Sequence, residues 1–129
     1  MKIVIAPQSF KGTATASVVA DAMLAGIKKV MPEVELISVP IADGGSGTVD
    51  TLVKATNGIT IETLTVDPIG RSIIARWGVL GDGKTAVIET AAASGLSLLD
   101  ISECDPDVTS TRGTGILLRV AIDLSLIHI

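Results

Sequence analysis

A glycine-rich loop in the first half of the chain carries the residues best suited to chemistry. It covers residues 43–48 and reads Asp-Gly-Gly-Ser-Gly-Thr. Glycines let the backbone approach a ligand closely, and N–H groups between a strand and a helix attract an anion. Asp43, at the start of the loop, is a carboxylate that could accept a proton or hold a metal. The loop therefore predicts a site for a small acid or a phosphate, with the amides of Gly44, Gly45 and Gly47 as an anion cradle.

The same glycines have an ordinary structural explanation, because tight turns between a strand and a helix also need glycine. A second polar loop argues for the ligand site. Ser9 and Lys11 follow a short apolar run at residues 2–6. Ligands of open α/β sheets bind at the carboxyl ends of the strands. If the two strands are parallel neighbours, Ser9 and Lys11 lie on the same rim as Asp43. Each alone could also be a simple loop residue.

Two strand–helix units must position these loops. Apolar runs at residues 2–6 and 34–39 predict strands buried on both faces, as in a parallel sheet. Helical spacing predicts a helix from the N-cap Thr15 to just before Pro32, and a second one over residues 49–55. Gly58 is the expected C-cap of the second helix. The β-α-β-α order with short links favours a parallel sheet.

The pattern changes after residue 58. Residues 59–66, 72–80 and 85–89 predict three successive strands, which indicates an antiparallel meander. We therefore place a domain boundary near residues 58–62. A last helix is expected over residues 113–124.

One match to a phosphate-binding motif is rejected. Residues 78–85 fit the pattern G-x-x-x-x-G-K-[ST], which functions only between a strand and a helix. Residues 86–88 favour a strand instead, and Asp82 would place a negative charge inside the cradle. Asp-Gly is a strong hairpin signal, so residues 81–84 are predicted to be a hairpin turn.

A second candidate anion cradle lies at the start of the last helix. Residues 109–115 combine hydroxyls, an arginine and two glycines. Ser110, Thr111 and Gly113 would form it, since a helix N-terminus attracts anions. Ordinary helix capping explains the same residues equally well.

Composition excludes several classes of function. The net charge is −4 and aromatic residues make up 2% of the 129-residue chain, so no nucleic-acid partner is expected. The single Cys104 cannot form an intrachain disulfide, which fits a cytoplasmic protein. No signal-peptide pattern and no run long enough to span a membrane is present, so no membrane partner is expected. The oligomeric state is left open.

Five stretches, taken in order, resemble the bacterial glycerate kinase family. They are Ile-Ala-Pro-Gln-Ser-Phe-Lys-Gly (5–12), Ala-Asp-Gly-Gly-Ser-Gly-Thr (42–48), Gly-Asp-Gly-Lys-Thr-Ala-Val-Ile-Glu (81–89), Ala-Ala-Ala-Ser-Gly-Leu (91–96) and Thr-Arg-Gly-Thr-Gly (111–115). The resemblance implies an ATP- and magnesium-dependent kinase that phosphorylates a hydroxyl of glycerate. It also implies a Rossmann-like α/β domain, begun by residues 1–60, and a smaller inserted α/β domain, begun by residues 61–124, with the active site between them.

The resemblance also suggests roles for individual residues. Asp43 would be a base or a metal-side carboxylate, and Lys11 the cation that faces a carboxylate or phosphate. Ser9 and Thr48 would be hydroxyl contacts of the substrate. No protein ligand for a metal is assigned.

The chain departs from the family at a few positions. The family usually has Asp in place of Gln8, Glu in place of Ser46 and Tyr in place of Arg112. It also continues well beyond residue 124, so we expect an N-terminal fragment with an incomplete fold. Residues 124–129 match one reading frame of a sequencing adapter, so residues 125–129 are expected to be an artefact. Two other hypotheses stay open: a non-catalytic module that binds a small acid or nucleotide, and a fragment with no function of its own.

Overall fold

The computed structural model describes residues 1–10 and 13–124; residues 125–129, the expected artefactual tail, lie outside the described part. The chain divides into two compact units, Met1–Thr51 and Leu52–Ile129. This division falls inside a helix rather than near residues 58–62. The two predicted domains, residues 1–60 and 61–124, stay a prediction.

The first unit contains a parallel pair of strands joined by a helix. Strand β1 (Lys2–Ile5) pairs with β2 (Glu35–Ser38) in parallel register, with Ile5 opposite Ser38. Helix α1 (Ala16–Val30) connects them, and Thr15 caps its start by accepting the Val18 N–H at 3.3 Å. The predicted parallel arrangement is confirmed, although β2 is shorter than the apolar run at residues 34–39.

Helix α2 (Thr48–Thr56) follows the glycine loop and extends one residue beyond the predicted range, 49–55, at each end. Asn57, with φ of 54°, takes the left-handed conformation, so the prediction of Gly58 as the C-cap is wrong. The Gly58 N–H donates to the Val53 carbonyl at 2.8 Å, as expected for the residue after a left-handed cap. Gly58 is needed for another reason: a Cβ there would lie 2.2 Å from the Val79 carbonyl oxygen.

The second unit is an antiparallel sheet covered by helices. Strands β3 (Ile59–Val66), β4 (Ser72–Val79) and β5 (Ala86–Val87) pair in that order, which confirms the predicted meander and the mixed α/β class. Helices α3 (Ala91–Ser94) and α4 (Arg112–Asp123) follow, separated by 3₁₀ turns at Leu96–Leu98 and Ile101–Glu103. Trp77 and Leu117 are fully buried in its core. The indole N–H of Trp77 donates to the Thr63 hydroxyl at 2.9 Å, so burial leaves it satisfied.

Residues 81–84 form the hairpin turn between β4 and β5, as the sequence predicts. The Leu80 N–H donates to the Thr85 carbonyl at 2.9 Å, and Gly83 has a φ of 67°. The Asp82 carboxylate accepts the N–H groups of Lys84 and Thr85, each at 2.9 Å, and the Thr85 hydroxyl at 2.6 Å. These bonds lower the pKa of Asp82 from 3.8 to about 2, and the bond from the Thr85 hydroxyl has the largest effect. The carboxylate thus closes the turn internally.

Acid should weaken this turn. Because the pKa of Asp82 is lowered on folding, its contribution is full above 3.8 and is lost as the pH falls through about 2. We expect Asp82→Asn to lower the unfolding temperature at neutral pH and to reduce its fall on acidification over that range. Thermal unfolding at several pH values measures this. Asp21→Asn, an exposed carboxyl on α1, is the control. An unchanged pH dependence in Asp82→Asn would rule out this role.

Candidate functional site

The chain segments that follow β1 and β2 run side by side. The Val39 N–H donates to the Ile5 carbonyl at 2.8 Å, and the Ile41 N–H donates to the Pro7 carbonyl at 3.0 Å. These bonds extend the parallel pairing past the ends of both strands. The two predicted loops therefore meet at the carboxyl edge of the strand pair, and Ser9 and Asp43 line one cavity there.

This cavity is small, carries many hydroxyl side chains and is built entirely from the first unit. Its volume is about 160 Å³. Sites for drug-sized ligands usually span about 300–1,000 Å³, so this one suits a small acid better than a nucleotide. The lining carries two carboxylates, Asp43 and Asp50. It also carries six hydroxyl side chains, those of Ser9, Thr15, Ser17, Ser46, Thr48 and Thr51.

The starts of two helices border the cavity. Thr15, Ala16 and Ser17 are at the start of α1, and Gly47 and Thr48 are at the start of α2. Helix N-termini carry a partial positive charge that favours an anion. Two helix ends supply only about one positive charge against the two carboxylates, so an anionic ligand would need a further cation, the role predicted for Lys11.

The glycine loop is held by its own side chains. The Gly45 N–H donates to Asp43 Oδ1 at 2.9 Å, and the Gly44 N–H donates to Thr48 Oγ1 at 3.1 Å. The Thr48 hydroxyl donates in turn to the Gly45 carbonyl at 2.7 Å. Gly44 and Gly47 have φ values of 87° and 92°, which side chains rarely tolerate. The predicted cradle amides of Gly44 and Gly45 are thus engaged within the loop, and a ligand would have to exchange those bonds for its own. The cradle stays a prediction.

The residue Lys11 lies outside the described residues. Its predicted role as the cation facing the acid is therefore still a prediction. Two departures from the family lie near the cavity region: Ser46 lines the cavity, and Gln8 lies beside Ser9 in the chain.

The second predicted cradle belongs to the second unit. The Ser110 hydroxyl accepts the Arg112 N–H at 3.1 Å, and Thr111 precedes α4 without a side-chain capping bond. Gly113 is buried, and a Cβ there would lie 2.0 Å from the Val66 carbonyl oxygen. Close packing against β3 accounts for this glycine, and an anion-binding role for the three residues stays a prediction.

Sequence reasoning missed several lining residues. Ser17, Asp50 and Thr51 lie in the first turns of α1 and α2, and Thr15 was assigned only a capping role. Their signal was available in principle, since polar side chains in the first turn of a helix share its N-terminal end with the preceding loop.

The described residues contain neither a metal-binding cluster nor a membrane-spanning helix. Residues 1–10 and 13–124 contain no cluster of three or more His, Cys, Asp or Glu that could hold a metal ion. In the same ranges, every helix is too short or too polar to cross a lipid bilayer.

A parallel strand pair with a small cavity at its carboxyl edge has the arrangement in which open α/β sheets bind their ligands. The model of the "Glycerate kinase family" matches residues 3–129, so the chain belongs to that family. It is similar to "Glycerate 2-kinase" of Escherichia coli K12 (48% identity over 95% of this chain and 32% of the relative) and to "Glycerate kinase" of Bacillus subtilis 168 (50% identity, with the same shares). The crystal structure of "putative glycerate kinase 2" from Salmonella typhimurium LT2 matches with a TM-score of 0.77 and 42% identity, over 95% of this chain and 33% of that one. The chain spans about a third of the length of these relatives.

Proposed function

We propose that this chain is part of an enzyme that transfers a phosphoryl group from ATP to a hydroxyl of glycerate. Family membership over nearly the whole chain supports the reaction, and relatives covering that range are named glycerate kinases. The observation that supports a role for this chain in the reaction is the hydroxyl-lined cavity with Asp43 on its wall. In this proposal the cavity of the first unit receives glycerate.

The cavity matches glycerate in size and in polarity. Glycerate is a three-carbon acid with one carboxylate and two hydroxyls. The partial positive charge at the starts of α1 and α2 would face the carboxylate, while Ser9 and Thr48 would hydrogen-bond the hydroxyls. In this proposal Lys11, which follows β1 in the chain, supplies a full positive charge to the glycerate carboxylate.

Asp43 is the group proposed to move a proton. Phosphorylation of a hydroxyl requires the loss of its proton, and a carboxylate within hydrogen-bond reach of that hydroxyl can accept it. The Gly45 N–H, bonded to Asp43 Oδ1 at 2.9 Å, orients that carboxylate and leaves its other oxygen for the substrate. Phosphoryl transfer otherwise depends on positioning and charge neutralisation.

ATP and magnesium enter the proposal for the whole enzyme only. A cavity of about 160 Å³ is too small for a nucleotide, and the described residues hold no cluster of three metal-ligand side chains. We therefore assign neither group to the cavity of this chain. A cytoplasmic setting, where ATP is available, belongs to the same proposal.

A chimeric kinase tests the function. It is the Bacillus subtilis relative in which the segment matched by this chain is replaced by this chain's residues. A coupled ADP-release assay should detect ADP only when glycerate and ATP are both present. The unmodified relative is the positive control, and omission of glycerate is the negative one. The proposal would be contradicted if the unmodified relative released ADP with glycerate and the chimera did not. If calorimetry then showed that the chimera binds glycerate without releasing ADP, the non-catalytic binding module would be favoured.

A further inference from the structure

The turn between β3 and β4 is built around a buried carboxylate. The side chain of Asp67 is only 1% exposed, although turns between strands usually lie on the protein surface. Its Oδ1 accepts the N–H groups of Ile69 at 3.0 Å and Arg71 at 2.9 Å, and its Oδ2 accepts the Arg71 Nε–H. Burial favours the neutral acid, but the hydrogen bonds from the Arg71 side chain and from the two backbone groups outweigh it and lower the pKa of Asp67. The turn is thus closed around an ion pair.

The Arg71 side chain also reaches a distant part of the chain. Its Nη1 donates to Glu103 Oε1 at 2.9 Å, and its Nη2 donates to the Leu98 carbonyl at 2.8 Å. Glu103 in turn accepts the Asp100 N–H at 3.0 Å, which fixes the 3₁₀ turn that carries it. All three nitrogens of the Arg71 guanidinium therefore donate hydrogen bonds, which connect the 67–71 turn to the segment of residues 98–103.

The same turn holds the start of α4. The Ser110 N–H donates to the Pro68 carbonyl at 2.9 Å. Just before the turn, the buried Thr65 hydroxyl donates to the Gly113 carbonyl at 2.8 Å. Residues 110–113 are therefore fixed at both ends by the end of β3 and the turn that follows it.

We propose that Arg71 is a positioning residue of the kinase, which holds residues 110–113 in place through the 67–71 turn. This inference rests on the proposed function, because Arg71 can affect turnover only if Ser110, Thr111 and Gly113 form the second predicted anion cradle of the kinase. An exposed ion pair usually contributes little. Arg71 differs because its partner Asp67 is buried, so loss of the guanidinium leaves a buried carboxylate with only the N–H groups of Ile69 and residue 71 as donors.

Turnover and stability separate positioning from a merely structural role. In the chimeric kinase, Arg71→Met should lower kcat by about tenfold to a hundredfold at a temperature at which the variant is folded, since small displacements of positioned groups have effects of this size. Arg71→Lys keeps a charge beside Asp67, but one ammonium cannot contact all three partners. It should regain most of the unfolding temperature and little of the turnover. If turnover returns together with stability, Arg71 is structural only.

Hydrogen exchange in the 129-residue chain tests the same contact without any activity. The Ser110 amide should exchange at least about tenfold faster in Arg71→Met and Arg71→Lys than in the parent, because its bond to Pro68 depends on the turn. Thr63→Val, which removes the bond from Trp77 in the same unit, should leave that rate and the chimera's kcat unchanged. Equal Ser110 exchange in all variants would overturn the inference. An inactive chimera with Arg71 intact would instead count against the proposed function.

Discussion

Replacement of Asp43 by asparagine should lower glycerate turnover by the chimeric kinase by about 10²–10⁴-fold, the range expected for loss of a general base. Asparagine has nearly the same shape, and its Oδ1 can still accept the Gly45 N–H that Asp43 accepts at 2.9 Å. The side chain is exposed on the cavity wall, so the fold should not depend on its charge. The loss should therefore fall on kcat. The coupled ADP-release assay measures it.

Two controls make the Asp43 result interpretable. The unfolding temperature and circular dichroism spectrum of Asp43→Asn should match those of the parent chimera. Asp21→Asn removes an exposed carboxylate from α1 and should leave turnover unchanged. Near-normal turnover in Asp43→Asn would show that Asp43 is not the general base, even though the parent chimera is an active glycerate kinase.

Gly113→Ala should destabilise the second unit by about 3 kcal/mol, the upper part of the usual range for overpacking a filled site. The new methyl group would lie 2.0 Å from the Val66 carbonyl oxygen and 3.1 Å from Cβ of Ala93. A backbone carbonyl cannot turn away as a flexible side chain could. Relief would require α4 to move off β3, which would also break the 2.8 Å bond from the Thr65 hydroxyl. Urea unfolding of the 129-residue chain measures the change.

Gly115→Ala is the matched control for that experiment. Gly115 lies in the same helix and is exposed, and a Cβ added there would have nothing within 4 Å of it. Alanine there should raise the free energy of unfolding by up to about 1 kcal/mol, because it is the better helix former. The two substitutions add the same methyl group to one helix and should act in opposite directions. Equal stability of the two variants would contradict the packing described for Gly113.

Local sequence patterns predicted the framework of the cavity because they follow from short-range rules. Two β-branched runs separated by one helix give a parallel pair, and the carboxyl ends of such a pair share an edge. This rule alone places Ser9 and Asp43 together, as the structure does. The hairpin at residues 81–84 followed in the same way from Asp-Gly between two strand patterns.

Other features depend on contacts that no local pattern contains. Gly58 is required by its close approach to the carbonyl of Val79 in another strand, whereas the left-handed conformation falls on Asn57. The packing role of Gly113 depends on Val66 in the same way. The Gly44 N–H could donate either to a ligand or to a side chain, and in the structure it donates to the Thr48 hydroxyl. Sequence identifies the groups capable of such bonds, whereas the folded arrangement decides which bonds form.

A structure of the chimeric kinase with bound glycerate would test the central claim most directly. We predict that glycerate lies in the cavity of the first unit, with a hydroxyl within hydrogen-bond distance of Asp43 and further contacts to Ser9 and Thr48. Glycerate bound elsewhere, with no contact to Asp43, would contradict the account.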